Sequence, residues 1–304
     1  MLTAFAVALS TSNRSKSFSR VAYNPQMLWR CRNRTIDLSR PVVMGILNVT
    51  PDSFSDGGRY AALDAALERA KQMVAEGAAI IDVGGQSTRP GALEVEASVE
   101  IDRAIPVIEG IAASCDVAIS IDTSKPSVIR AAVAAGACIV NDVYALREPG
   151  ARTVAAEAQL GVCLMHMQGE PRTMQDSPHY NDVVGEVTEF LSRERRACIE
   201  AGVASDAIAL DPGFGFGKTL EHNLTLLREL RRFAALDAPL LVGVSRKSVI
   251  GKILGKSVHE RLYGGLGLAA LAVANGARII RTHDVAPTLD AVRSVSAVLQ
   301  GLKV

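Results

Sequence analysis

The chain has 304 residues, of which 48% are hydrophobic, and its formal net charge is +1 at pH 7. This length allows one large α/β domain or two small ones with a sizeable core, and the charge gives no broad field that favours nucleic acid or an anionic membrane. Aromatic residues make up only 4%, which argues against platforms for stacking bases. Since no apolar run approaches the roughly 20 residues of a membrane span, we expect neither a nucleic-acid nor a membrane partner.

The segment before the first predicted strand differs in composition from the rest of the chain. It carries no acidic residue before Asp37 and includes the Ser-rich run STSNRSKSFSR. A transit peptide has such a composition. The alternatives, which we favour, are a disordered extension or an upstream start codon with Met27 as the true first residue. We predict an N-terminal extension over 1–40, poorly ordered up to about 26, and one barrel domain over 41–304.

The five cysteines are scattered, and none forms a C-x-x-C pair. An odd number of scattered cysteines is typical of free, buried thiols in a reducing compartment. The sequence therefore predicts a cytoplasmic protein.

Short β-branched runs alternate with Ala- and Glu-rich segments of helical period from residue 42 onward. Strands are predicted at 42–49, 79–85, 117–123, 138–143, 161–167, 207–213, 239–246 and 278–284. Helices are predicted at 61–76, 97–113, 126–135, 182–201, 258–274 and 286–300. Strands that alternate with helices pair in parallel through right-handed crossovers.

A partial repeat supports this alternation. The segments GAAIIDV, GACIVNDV and GARIIRTHD share a helix-ending Gly, an Ala, and an apolar run that ends in polar residues. Eight such units predict a (β/α)₈ TIM barrel as a single domain. The rival is a doubly wound open sheet, which has a Gly-rich fingerprint at its first turn, and G-x-G-x-x-G is absent after 42–49.

Each predicted strand ends in a polar or charged residue. In chain order these are Asn48, Asp82, Asp122, Asn141 with Asp142, His166, Asp211, Arg246 with Lys247, and Arg281 with His283. Charged groups are costly to bury inside a parallel sheet. In a barrel, however, this repeat position places them all at one mouth, where active sites lie.

The polar strand ends divide into acceptors and donors. The acceptors end the middle strands and are Asp122, Asn141 and Asp211. The donors end the last strands and are Lys247, Arg281 and His283. Acceptors suit a flat heterocycle with amino and N–H groups, and the loops after strands 7 and 8 of a barrel often bind phosphate. We therefore predict a pocket with the heterocycle at one end and phosphate at the other.

The first strand continues into the loop MGILNVTPDSFSDGG. The Asn48 carbonyl at the mouth can accept from a ligand or bind Mg²⁺, which takes few protein oxygens beside water and phosphate. Gly57 and Gly58 allow hinge motion and Phe54 offers an apolar surface, so the loop is predicted to be a mobile lid. A second loop, QSTRPG, carries Thr88, Arg89 and Pro90.

Two other patterns point away from nucleotide or zinc sites. The segment GFGFGKT at 213–219 resembles a Walker A loop, but Pro212 stands where the first Gly is required. We expect a tight strand-to-helix turn that exposes backbone N–H groups. The five histidines show no zinc spacing, and His166 is either a core residue, which we favour, or a mouth residue.

Several blocks in order resemble the dihydropteroate synthase family. They are MGILNVTPDSFSDGG, DVGGQSTRPG, SIDTSKP, NDV, LMHMQG, LDPGFGFGK, GVSRKS and IIRTHD, and they run from about Pro41 to the last predicted helix. The resemblance implies a (β/α)₈ barrel that joins 4-aminobenzoate to (7,8-dihydropterin-6-yl)methyl diphosphate and releases diphosphate. It also implies a homodimer formed through helices away from the mouth.

The resemblance implies a role for each matching residue. The pterin ring is expected at Asp122, Asn141, Asp211 and Lys247. The diphosphate is expected at Asn48, Thr88, Arg281 and His283, with Mg²⁺ at Asn48. Aminobenzoate is expected near Phe54, Pro90, Phe216, Lys247 and Ser248. The catalytic and lid residues are expected to be Asp122, Asp52, Arg89 and Lys247.

One position departs from the family pattern. The second block usually reads Gly-Gly-Glu-Ser-Thr-Arg-Pro-Gly, and Gln86 stands here in place of Glu. Gln keeps the size and one acceptor oxygen but loses the charge, which puts the ionic partner of this position in doubt. The alternatives are a pterin-binding paralogue without turnover and a barrel methyltransferase that moves a methyl group from methyltetrahydrofolate to a corrinoid.

Overall fold

The computed structural model describes residues 27–49, 58–87 and 91–300. Eight parallel strands form its main sheet, in the order β8-β7-β6-β5-β4-β3-β10-β9. They are β3 (Val42–Asn48), β4 (Ile80–Gly84), β5 (Ala118–Asp122), β6 (Ile139–Asp142), β7 (Gly161–Met165), β8 (Ile208–Asp211), β9 (Leu241–Gly243) and β10 (Ile279–Thr282). A parallel bridge between Leu210 and Leu240 joins the two outer strands, so the sheet closes into the predicted (β/α)₈ barrel.

The helices surround the sheet and cover its outer face. They are α1 (Gly58–Ala75), α2 (Ala97–Ser114), α3 (Pro126–Ala135), α4 (Ala151–Glu157), α5 (Val183–Glu200), α6 (Leu220–Arg228), α7 (Ser248–Leu254), α8 (Leu262–Ala274) and α9 (Val285–Gln300). The apolar stripe of α2 shows the principle, since Val107, Ile108 and Ile111 recur at helical spacing and are buried against the sheet. The strands are apolar on both faces because helices cover one and the barrel interior the other.

All eight predicted strands are present, and all six predicted helices are found with small shifts at their ends. The predicted helix 258–274 is divided at Arg261 into a 3₁₀ turn (Val258–Glu260) and α8. Three helices were not predicted, and each has only seven to nine residues. A helix of two turns repeats its apolar spacing too few times to stand out in the sequence.

An antiparallel hairpin of β1 (Leu28–Cys31) and β2 (Arg34–Asp37) closes the barrel at the amino ends of its strands. Trp29, Cys31 and Leu38 are fully buried there. They pack against residues from the beginnings of the barrel strands: Met44, Ile80, Ala118, Ile139, Cys163, Ala209, Leu241 and Ile279. The packed unit thus extends back to residues 27–40, which the prediction had placed in the extension. Residues 1–26 lie outside the described part.

Candidate active site

The carboxyl ends of the barrel strands, here called the mouth, bring buried charges from distant parts of the chain together. Arg281 at the end of β10 donates from Nε to Asp82 Oδ2 at 2.6 Å and from Nη2 to Asp122 Oδ2 at 2.7 Å. Asn141 Nδ2 donates to the same Asp82 oxygen at 3.0 Å. We call Asp82, Asp122, Asn141 and Arg281 the mouth cluster.

Both carboxylates of the mouth cluster keep one oxygen without a partner. Among the described residues, no group within hydrogen-bond distance meets Oδ1 of Asp82 or Oδ1 of Asp122, although both atoms are buried. A buried acceptor without a donor is costly. Asp122 retains some exposure while Asp82 has none, so Asp122 Oδ1 is the atom suited to receive an N–H group from a bound molecule.

Burial sets the electrostatics of the cluster. It raises the pKa of Asp122 to about 7, while the Arg281 guanidinium opposes this rise and the nearby Asp82 carboxylate adds to it. For Arg281, burial alone would lower the pKa, but the carboxylates of Asp82 and Asp122 outweigh it and raise the pKa. The guanidinium is thus the counter-charge that keeps two buried carboxylates in one pocket.

This arrangement differs from the predicted separation of acceptors and donors. Arg281 lies between two carboxylates, beside Asn141, and its predicted role in binding diphosphate stays a prediction. The physical reason is that carboxylates as buried as Asp82 and Asp122 require a positive partner. The sequence indicated which residue types reach the mouth, but it could not indicate which of them pair.

A second pair of opposite charges consists of Asp211 at the end of β8 and Lys247 immediately before α7. Lys247 Nζ donates to the backbone carbonyl of Phe214 and lies 4.4 Å from the centroid of the Phe216 ring. Burial lowers the pKa of Lys247 to about 8, and the Asp211 carboxylate opposes this shift. Burial likewise raises the pKa of Asp211. Val143, Met165, Met167 and Met174 form an apolar cluster against which Phe216 packs, so one wall of the mouth is apolar.

The turn after β8 is held by a buried lysine that sequence reasoning did not select. Lys218 Nζ donates to the carbonyls of Gly213 and Phe216, each at 2.9 Å, and lies 2.9 Å from His166 Nδ1. Burial lowers the pKa of His166 to about 2, so its ring is neutral and Nδ1 can accept. His166 is buried, as the favoured interpretation predicted.

The expected exposure of backbone N–H groups in this turn is wrong at two positions. Gly213 N donates to Asp211 Oδ1 at 2.7 Å, and Gly215 N donates to Asn223 Oδ1 at 2.7 Å. Gly213 also has a φ of +73°, and a Cβ there would lie 1.8 Å from the His166 carbonyl oxygen, which explains why glycine is required. The turn therefore uses these two donors internally.

Three further predicted residues lie at strand ends or helix starts around the mouth. Asn48 ends β3, and its Oδ1 lies 3.6 Å from the position that a Cβ on Gly84 would occupy, as does Asp122 Cβ. His283 follows β10, and its Nδ1 lies 3.1 Å from Ser245 Oγ. Ser248 is exposed at the start of α7. The predicted residues Asp52, Phe54, Thr88, Arg89 and Pro90 lie outside the described residues.

The structure identifies the partner of the unusual Gln86. Lys125 Nζ donates to Gln86 Oε1 and, at 2.9 Å, to Glu100 Oε2 on α2. Glu100 is 1% exposed, so Lys125 supplies the positive charge that this buried carboxylate requires. Although Gln86 carries no charge, Lys125 therefore still has an acidic partner in Glu100.

An eight-stranded parallel barrel with buried carboxylates and cations at its mouth is typical of (β/α)₈ barrel enzymes, whose active sites lie at this end of the strands. The family of pterin binding enzymes matches residues 44–283. Dihydropteroate synthase of Escherichia coli (strain K12) is 54% identical over 265 residues, which cover 87% of this chain and 94% of that protein.

Solved structures agree with this match. Xanthomonas albilineans dihydropteroate synthase with 4-aminobenzoic acid superposes with a TM-score of 0.86 at 46% identity, covering 90% of this chain and 99% of that one. The same enzyme in complex with 7,8-dihydropteroate gives a TM-score of 0.82 at 43% identity, with the same coverage. This chain belongs to the pterin binding enzymes and, within them, to the dihydropteroate synthase family. It is a transferase of folate biosynthesis.

Proposed function

We propose that the mouth carries out the dihydropteroate synthase reaction, with the pterin ring on Asp122, Asn141, Asp211 and Lys247. The enzyme joins (7,8-dihydropterin-6-yl)methyl diphosphate to 4-aminobenzoate and releases diphosphate. The observation that carries this assignment is the buried Asp122 Oδ1, which meets no donor among the described residues. The amino and N–H groups of a pterin are donors of the kind that this atom requires.

The proposed chemistry depends on charge and position. The bond between the pterin methylene and the diphosphate oxygen breaks, the arylamine nitrogen bonds to the methylene, and the nitrogen then loses a proton. As positive charge develops on the methylene, the Asp122 carboxylate stabilises it. Asn48, Thr88, Arg281 and His283 are proposed to bind the leaving diphosphate, with Arg281 and His283 offsetting its negative charge. The arylamine needs no strong base, so orientation supplies much of the rate.

Aminobenzoate is proposed to bind beside the apolar wall near Phe216, with Lys247 and Ser248 close by. The Lys247 ammonium lies over the Phe216 ring and is 4.4 Å from its centroid, which fixes both side chains. The resemblance alone supports including Phe54 and Pro90 in the aminobenzoate site and Asp52 and Arg89 among the lid residues.

Mg²⁺ is the proposed cofactor, and the donors around the mouth fit it. Among the described residues no group of three or more His, Cys, Asp or Glu side chains could hold a metal ion. Mg²⁺ does not need such a group, because it commonly takes one or two protein oxygens with waters and substrate phosphates. Asn48 Oδ1 is the oxygen proposed to hold it, and the ion would neutralise charge on the diphosphate.

The test is release of diphosphate that depends on aminobenzoate. We expect the purified chain to release diphosphate from the pterin diphosphate only when aminobenzoate is present. Asp122→Asn should lower turnover by roughly 10²–10³, the scale of one preorganised electrostatic contact. Asp37→Asn, at the opposite end of the barrel, is the control and should leave turnover unchanged. Binding of the pterin diphosphate without any release would instead support the paralogue without turnover.

A homodimer and a cytoplasmic location are also proposed. Helices α7 and α8, with the turn between them, expose several large apolar side chains, namely Ile253, Leu254, Val258, Tyr263 and Leu271, and Tyr263 is 81% exposed. Apolar surface of this kind is typical of protein–protein contacts. Light scattering should give the mass of a dimer, and Tyr263→Asp should shift it towards the monomer.

All five cysteines are free, which supports a reducing compartment, and no helix among residues 27–49, 58–87 and 91–300 could cross a membrane.

A further inference from the structure

Asp82 is the fully buried centre of the mouth cluster, yet the proposed binding roles do not include it. Its Oδ2 accepts from Arg281 Nε at 2.6 Å and from Asn141 Nδ2 at 3.0 Å. One carboxylate oxygen thus links a residue proposed to bind diphosphate with a residue proposed to bind the ring. The three side chains come from β4, β6 and β10.

Arg281 contacts Asp82 and Asp122 at the same time. A guanidinium is planar and can take both oxygens of one carboxylate at once. Here Nε is held by Asp82, and only Nη2 reaches Asp122, at its Oδ2. Asp122 Oδ1 remains without a donor among the described residues.

The same carboxylate also orients Asn141. A carboxamide offers a donor on one side and an acceptor on the other. Because Asn141 Nδ2 donates to Asp82, its Oδ1 is the atom presented away from Asp82. Asn141 therefore contributes an acceptor to the mouth, in agreement with the acceptor role proposed for it.

We propose that Asp82 is a positioning residue that keeps Arg281 from pairing with both oxygens of Asp122 and turns Asn141 so that its oxygen faces the ligand. The inference rests on the proposed function, because it takes the pterin ring as the ligand of Asp122 and Asn141. It predicts a role for Asp82 in affinity for the pterin diphosphate without a contact between Asp82 and that substrate.

The experiment is a double-mutant cycle on binding of the pterin diphosphate, measured by calorimetry. Asp82→Asn removes the charge that holds Nε, so Arg281 can pair with both oxygens of Asp122 and compete with the ring. We expect the dissociation constant to rise roughly tenfold, within the range of coupled contacting residues. In an Arg281→Lys background, Asp82→Asn should have a clearly smaller effect, because lysine cannot make the two-oxygen pair.

Asp142→Asn is the matched control. Asp142 is also fully buried and lies on β6 next to Asn141, but its oxygens accept from the backbone N–H groups of Tyr144 and Leu146. Its replacement should lower stability without coupling to Arg281. The inference is overturned if Asp82→Asn raises the dissociation constant equally in both backgrounds, if it does not raise it at all, or if Asp142→Asn shows the same coupling.

Asp82→Glu provides a second variant in case Asp82→Asn does not fold. It keeps the charge but moves the carboxylate by one methylene, so affinity should again fall with coupling to Arg281. Affinity equal to that of the unmodified chain would overturn the inference. The cycle measures binding of the pterin diphosphate and does not depend on turnover. A chain that binds this substrate but shows no aminobenzoate-dependent release would contradict the proposed function. The cycle would still test the role of Asp82 in such a chain.

Discussion

Replacing Lys218 by Met tests whether the buried lysine holds the turn after β8. Lys218 is 2% exposed, and its Nζ bonds the carbonyls of Gly213 and Phe216 and contacts His166 Nδ1, each at 2.9 Å. Met keeps the length but leaves these three acceptors without this donor, two of them buried and the Phe216 carbonyl partly buried. Each such loss costs about 1–3 kcal/mol. Since burying an ammonium is itself costly, we take the lower end and expect a loss of about 3 kcal/mol.

The functional effect should fall mainly on aminobenzoate. The Phe216 carbonyl held by Lys218 belongs to the residue whose ring lies against Lys247. When the turn loosens, the proposed aminobenzoate site loses its shape, whereas Asp122 and Asn141 are held by other bonds. The KM for aminobenzoate should therefore rise several-fold more than the KM for the pterin diphosphate.

Urea denaturation measures the free energy of unfolding, and steady-state kinetics below the unfolding range measures both KM values. Lys252→Met makes the same chemical change at an exposed position on α7, where the effect should stay within about 0.5 kcal/mol. The reasoning fails if Lys218→Met is no more destabilising than Lys252→Met, or if both KM values rise by the same factor.

Three other predictions concern the hairpin at the amino ends of the barrel strands, stability in acid and the metal. Trp29→Ala should lower the free energy of unfolding by about 3–5 kcal/mol, because Trp29 is fully buried and its Nε1 donates to the Ala207 carbonyl at 2.9 Å. Turnover of the folded enzyme should not change. A much smaller loss of stability in urea denaturation would show that the hairpin does not close the barrel. The pKa of His166 is lowered from 6.5 to about 2, so only the unfolded chain binds its proton between these values, and stability is lost as the pH falls below 6.5. Between pH 7 and pH 5 the advantage of the unmodified chain over His166→Gln should shrink by about 2 kcal/mol, and a constant difference in urea denaturation would contradict this. Chelation of Mg²⁺ should abolish turnover, and Asn48→Ala should raise the Mg²⁺ concentration for half-maximal rate by roughly tenfold, the effect of about 1.4 kcal/mol; an unchanged requirement would remove Asn48 from the metal site.

The pairings at the mouth could not be predicted from the sequence, although the residues themselves could. Asp122, Asn141, Asp211, Lys247 and Arg281 were selected because each ends a strand of a repeating unit. Asp82, in the middle of β4, was also noted among the polar residues but was assigned no role, because its two contacts are with residues far along the chain. Lys218 was missed because its motif was judged only against a nucleotide-binding loop; a lysine in a glycine-rich turn after a buried strand was the available signal.

The sequence by itself determined the barrel and the residue types that reach its mouth. Strands buried on both faces need continuous β-branched runs, and polar residues are tolerated where those runs end, so both features are local. Only the tertiary structure decided that Arg281 pairs with Asp82 and Asp122, which are 199 and 159 positions away. It also decided that Lys125 forms an ion pair with Glu100 and that the hairpin closes the barrel at the amino ends of its strands. Such contacts depend on barrel closure and strand register, and buried charge selects its partner from whatever those place within reach.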